Sequence, residues 1–149
     1  MEGTRLSDLK NLEQDIDTIE SGYEFLLAYA AQGRPPHVEA DYPTPHVGPT
    51  LKDMLAAMEN VTASLKDSDH EYEQVIVEDV RKAKAALKFV IDQPRMSSEL
   101  IDNLNASIHL RAVLTDCFLY SEVFRPSAGE AADPASNNDT KGKGLWTEA

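Results

Sequence analysis

The sequence predicts an all-α fold: a four-helix bundle with a long proline-rich connection between its first two helices and a polar C-terminal tail. Three observations predict it. Apolar residues recur at alternating steps of three and four in four separate segments. Those segments are punctuated by Gly, Pro and Ser/Thr at the places where helices stop and start. Nowhere do apolar and polar residues alternate between hairpin turns, as half-buried strands require.

The first helix is expected over about residues 6–33, where Leu9, Leu12, Ile16, Ile19, Tyr23, Leu26 and Ala30 form a heptad seam. Asp8, Glu13, Asp15, Asp17, Glu20 and Glu24 fall mostly outside that stripe. Gly33 can adopt the left-handed conformation that ends a helix, and Pro35 and Pro36 cannot continue it. The second helix, about 50–66, opens at Thr50 with Asp53 three positions on, and its seam is Leu51, Met54, Met58, Val61 and Leu65. Asp67, Ser68 and Asp69 interrupt the pattern, and Ser68 with Glu71 reads as a capping box for a third helix over about 69–93.

That helix buries Tyr72, Ile76, Val80, Ala83, Leu87 and Val90. Asp69, Glu71 and Glu73 lie near its start and Arg81, Lys82, Lys84 and Lys88 toward its end, which complements the helix dipole. Pro94 closes it. A fourth helix, about 97–124, is capped by Ser97 or Ser98 and turns Leu100, Leu104, Ile108, Leu114, Cys117, Phe118 and Phe124 inward. Ile101, Leu110, Val113, Leu119 and Val123 widen its apolar surface, as burial on more than one side would require.

Residues 34–49 link the first two helices and, at up to about 3.3 Å each, reach about 50 Å, enough to run the length of the bundle. Residues 1–124 are thus expected as one helical domain, and 125–149 as a polar tail able to dock through Trp146, the chain's only tryptophan.

Composition narrows the function classes. The net charge of -12 argues against nucleic acid, whose phosphates need a basic patch, and against anionic membrane surfaces. No apolar run approaches the roughly 30 Å of a bilayer core. The opening residues, MEGTRLSDLKNLEQDI, have neither a signal-peptide core nor transit-peptide character, and the single cysteine, Cys117, forms no intramolecular disulfide, so the cytoplasm is the expected location.

Catalytic constellations are not apparent. A di-iron bundle needs Glu-x-x-His pairs, and the chain has none; its nearest spacing, Asp67 to His70, falls at the break between helices. Histidine phosphotransfer domains place lysine and glycine soon after their histidine, whereas His109 is followed by Leu-Arg-Ala-Val. Cys117 has no base beside it and reads as a small core residue.

The remaining chemistry lies in the proline-rich stretch. His37, Glu39 and Asp41 alternate, so an extended chain points them one way, and His46 folding back would complete a two-nitrogen, two-oxygen set acceptable to zinc. Tyr42 and Trp146 join the two histidines as candidate contacts for a small ligand. The plainer reading is a stiff crossover that lays Val38, Tyr42 and Val47 on the bundle. The expectation is therefore a non-catalytic helical protein that binds other protein, as a homodimer, without a cofactor; a metal- or ligand-binding bundle using His37 and His46 is the alternative.

Overall fold

The computed structural model describes residues 2–38 and 47–124, and for residues 2–9, 37, 38 and 124 the backbone alone. The chain is predominantly helical: α1 (Glu2–Ala30), α2 (Val47–Leu65), α3 (Glu71–Ile91), α4 (Ser98–Asn105) and α5 (Ile108–Phe124). Two short strands, β1 (His37–Val38) and β2 (Arg95–Met96), pair antiparallel, His37 with Met96 and Val38 with Arg95. A pairing of two residues is too short for alternation to register in the sequence. No described helix is long and apolar enough to cross a membrane.

By compactness the chain divides into residues 1–116 and 117–149. In the first unit, α1 packs against α2 and α4, and α2 packs against α3. Leu12, Ile16, Ile19, Leu26 and Tyr29 of α1 are buried with Leu51, Met54, Met58, Val61 and Leu65 of α2. The seam of α1 leaves the strict heptad after Ile19, since Gly22 and Tyr29 are buried while Tyr23 and Ala30 are half-buried. A straight helix at 3.6 residues per turn drifts off a 3.5 repeat in this way. Gly22 lets the two helices close up, because a Cβ there would run into the side chain of Met54. Gly33, with φ 69°, occupies the left-handed region expected of it at the end of the helix.

Several boundaries differ from the sequence expectation. α2 begins at Val47, so Thr50 lies inside it; Pro49 is tolerated in a first turn, where its missing N–H has no intrahelical partner to lose. Ser68 does not form the capping box. Its hydroxyl accepts from His70 N at 3.0 Å, and His70, the N-cap of α3, makes no side-chain cap. Gln74 instead reaches back to the end of α2, its Nε2 donating to the carbonyls of Leu65, Lys66 and Ser68 at 3.2, 3.2 and 2.6 Å.

The segment expected as one helix over 97–124 is two. α4 ends at Asn105, and Ser107 starts α5 by accepting from His109 N at 3.2 Å. The break resets the rotational phase, which is why Ile108, expected inward, is 74% exposed. Leu104, Leu110, Val113 and Leu114 are buried.

Ser97 is the N-cap of α4, accepting from Leu100 N at 3.0 Å, and leaves Ser98 for another task. Ser98 is buried; its hydroxyl accepts from Arg34 N at 2.6 Å and donates to Tyr29 O at 3.1 Å, while its own N–H donates to Arg34 O at 3.0 Å. Asn105 adds a bond to Leu26 O at 3.1 Å. Ser98 and Asn105 of α4 thus add side-chain hydrogen bonds to carbonyls in the last turns of α1.

In the second unit only the end of α5, to Phe124, is described. There Cys117 and Tyr120 are buried and Leu119 and Val123 are exposed, so the surface expected to be apolar and covered on several sides is only partly covered. The tail over 125–149, with Trp146, lies outside the described residues, as do 39–46.

Candidate functional site

Only one of the candidate residues read from the sequence is placed. The backbone of His37 is held in β1 opposite Met96. Glu39, Asp41, Tyr42, His46 and Trp146 lie outside the described residues. Among the described residues no group of three or more His, Cys, Asp or Glu side chains is arranged to hold a metal ion.

A different set comes together between α3 and α5. Tyr72 and Asp79 are seven residues apart on α3, two helical turns, and so share a face. Asp116 meets them from α5. The Tyr72 hydroxyl donates to Asp116 Oδ1 at 2.8 Å. Asp116 is only 5% exposed, and its second oxygen, Oδ2, is buried with no donor.

Electrostatics follow from that placement. Burial raises the Asp116 carboxyl from its ordinary 3.8 to about 7, helped by Asp79, which favours the protonated form both as an acceptor and by its charge, and opposed by the hydrogen bond that Tyr72 donates. Two carboxylates do not hydrogen-bond each other; one must carry a proton. Burial thus favours the protonated, neutral form of Asp116. A carboxyl so tuned suits acid–base chemistry, but a substrate also needs room. Three open depressions on the first unit are not lined by Tyr72, Asp79 or Asp116.

One of those depressions is the more apolar. It has a volume of about 340 Å³ and lies where α3 ends and α4 begins, lined by Phe89, Gln93, Pro94, Arg95 and Leu100. Phe89 is 69% exposed there. Burying a phenyl ring is worth roughly 1.5–3 kcal/mol, so this face gains from being covered. The other two lie along α1 and α2 and are lined mainly by polar side chains, among them Asn60, whose amide donates to Asp15 at 3.1 Å.

The carboxyl cluster left a signal that the sequence reading passed over. Asp116 interrupts the run Ala-Val-Leu-Thr-Asp-Cys-Phe-Leu-Tyr, where an acid is unexpected unless it has a partner. Nothing in the sequence points from there to Asp79. Comparison with protein-family models, with curated proteins and with solved structures finds no match.

Proposed function

We propose that this chain is a small acidic, non-catalytic helical protein that acts in the cytoplasm by binding other protein, as a homodimer. Its helices form a four-helix bundle in which α4 and the start of α5 supply the fourth member, with a proline-rich connection between the first two helices. The observation that carries the functional reading is the exposed ring of Phe89 above the apolar depression it shares with Pro94 and Leu100. Exposed Ile108, at the start of α5, adds to the apolar surface available to a partner. Sedimentation velocity over a concentration series tests it. A concentration-dependent rise toward twice the monomer mass is expected, and a strict monomer at high micromolar concentration rejects the homodimer.

The second reading is a metal- or ligand-binding protein using His37 and His46, with Glu39 and Asp41 as oxygen donors. It is favoured by the pairing of His37 with Met96, which anchors one end of the histidine-bearing stretch on β2. Elemental analysis of protein purified without chelator separates the two, since only the second reading expects stoichiometric metal.

A further inference from the structure

We propose, resting on the homodimer reading, that two copies meet along the outer face of α3, laid antiparallel so that Phe89 of each chain covers Val75 of the other. At 3.6 residues per turn, Val75, Glu78, Lys82, Ala85 and Phe89 fall on one side of α3. Ile76, Val80, Ala83, Leu87 and Val90 fall on the other and are buried. Val75 is 42% exposed and Phe89 69%, one toward each end of the helix. Between them Ala85 is exposed and Ala86 half-buried, and side chains that small let two helix axes approach to about 8 Å.

Charge selects a second copy as the occupant and antiparallel as its direction. The exposed acids Glu71 and Glu78 lie in the first half of α3, and the exposed bases Arg81, Lys82 and Lys88 in the second. A parallel neighbour would set acid against acid and base against base. An antiparallel one lays each acidic half on a basic half, which favours that direction and rejects the other. The Glu78–Arg81 ion pair, at 3.2 Å, lies within one helix with its side chains 62% and 65% exposed, so it does little to hold Glu78 back.

Placing Phe89 opposite Val75 puts the two-fold axis at residue 82, midway between them. Glu78 of one copy then comes within about half a turn of the level of Lys88 of the other, on the same flank. Lys82 sits at the axis with Glu78 and Asp79 of both copies one turn away, which sets four carboxylates around two ammonium groups. The apolar depression continues this face past the end of α3, where the second copy brings its acidic first turn, with Glu71, toward Arg95.

Sedimentation velocity on the full chain tests the pairing, with Glu78→Lys and Lys88→Glu made separately and then mixed. Both positions are exposed, so each variant is expected to fold as wild type does, which circular dichroism checks. Each variant alone should self-associate about tenfold more weakly than wild type, because the two-fold axis turns two attractions into two repulsions. The equimolar mixture should regain wild-type affinity, since both cross-copy pairs of a mixed dimer are again opposite in sign. Undiminished affinity in both variants, or a mixture no tighter than its components, overturns the α3 pairing and leaves a homodimer through another face. A wild type that stays monomeric at high micromolar concentration overturns the pairing and the homodimer together, and a different protein then covers Phe89.

Discussion

Replacing Gly22 by alanine opposes two effects that are usually considered separately. Alanine is the better helix former by about 0.8–1.0 kcal/mol in a helix interior, so on propensity alone Gly22→Ala stabilises α1. At this position, however, the added Cβ would lie 2.6 Å from Met54 Sδ and closer still to Met54 Cγ. Met54 is fully buried, as are Leu51 and Met58 on the same seam of α2, so its side chain has little room to retreat. Forcing a methyl group into a packed contact costs about 1–3 kcal/mol; the flexibility of methionine places this case near the middle of that range.

The net expectation is a loss of about 1 kcal/mol, or about 3 °C in Tm for a chain of this size. Urea denaturation followed by circular dichroism measures it. The double variant Gly22→Ala/Met54→Ala carries the sharper test. Met54→Ala alone should cost about 2–5 kcal/mol, yet in its presence Gly22→Ala should become neutral or stabilising, because the clash is gone. Stabilisation by the single Gly22→Ala change, or additivity within about 0.5 kcal/mol in the double variant, would refute the close approach of the two helices.

Ser98→Ala removes a buried hydroxyl that bridges Arg34 and Tyr29 and should cost about 1–3 kcal/mol in urea denaturation, whereas Ser97→Ala removes a cap worth about 1 kcal/mol; equal losses would contradict the division of labour between them. Phe89→Ser changes an exposed side chain, so thermal unfolding of the monomer should move by no more than about 0.5 kcal/mol, while sedimentation should show self-association weakened about tenfold or more; an unchanged dimer places the interface elsewhere. Added zinc should leave the Tm of wild type unmoved if the protein is an interaction module alone. A rise of several degrees that vanishes in His37→Ala/His46→Ala would favour the metal-binding reading.

The core of α1, α2 and α3 was legible because burial leaves a periodic trace: Leu12, Ile16, Ile19, Leu51, Met58, Val80 and Leu87 all sit where a helical repeat puts them. Helix ends were less legible, since a cap needs only a Ser, Thr, Asp or Asn and the sequence supplies several at each boundary. Thr50 and Ser68 fit the pattern and do not cap, while Ser97 and Ser107 do. The hydrogen bonds from Gln74 to the end of α2 and from Asn105 to Leu26 join residues that no local pattern connects. The break at Ala106 was hidden because Leu104, Ile108 and Leu110 continue an apolar pattern straight across it. Periodicity records which side of a helix is covered. It carries no mark of a short interruption that merely rotates the next segment.

Asp116 belongs to a third category, in which the sequence shows an anomaly without showing its resolution. An acid within an apolar helical run has to be neutralised, paired or exposed. Exposure is excluded by its burial, and among the described residues no cation acts on it, so the neutral carboxyl is favoured. Asparagine would fill the same volume, accept from Tyr72 through its carbonyl oxygen and donate to Asp79, with no need to recruit a proton. What aspartate has and asparagine lacks at this position is the ability to change charge. On packing and hydrogen bonding the two residues are nearly equivalent, so any difference between wild type and Asp116→Asn that grows with pH measures titration itself rather than lost contacts.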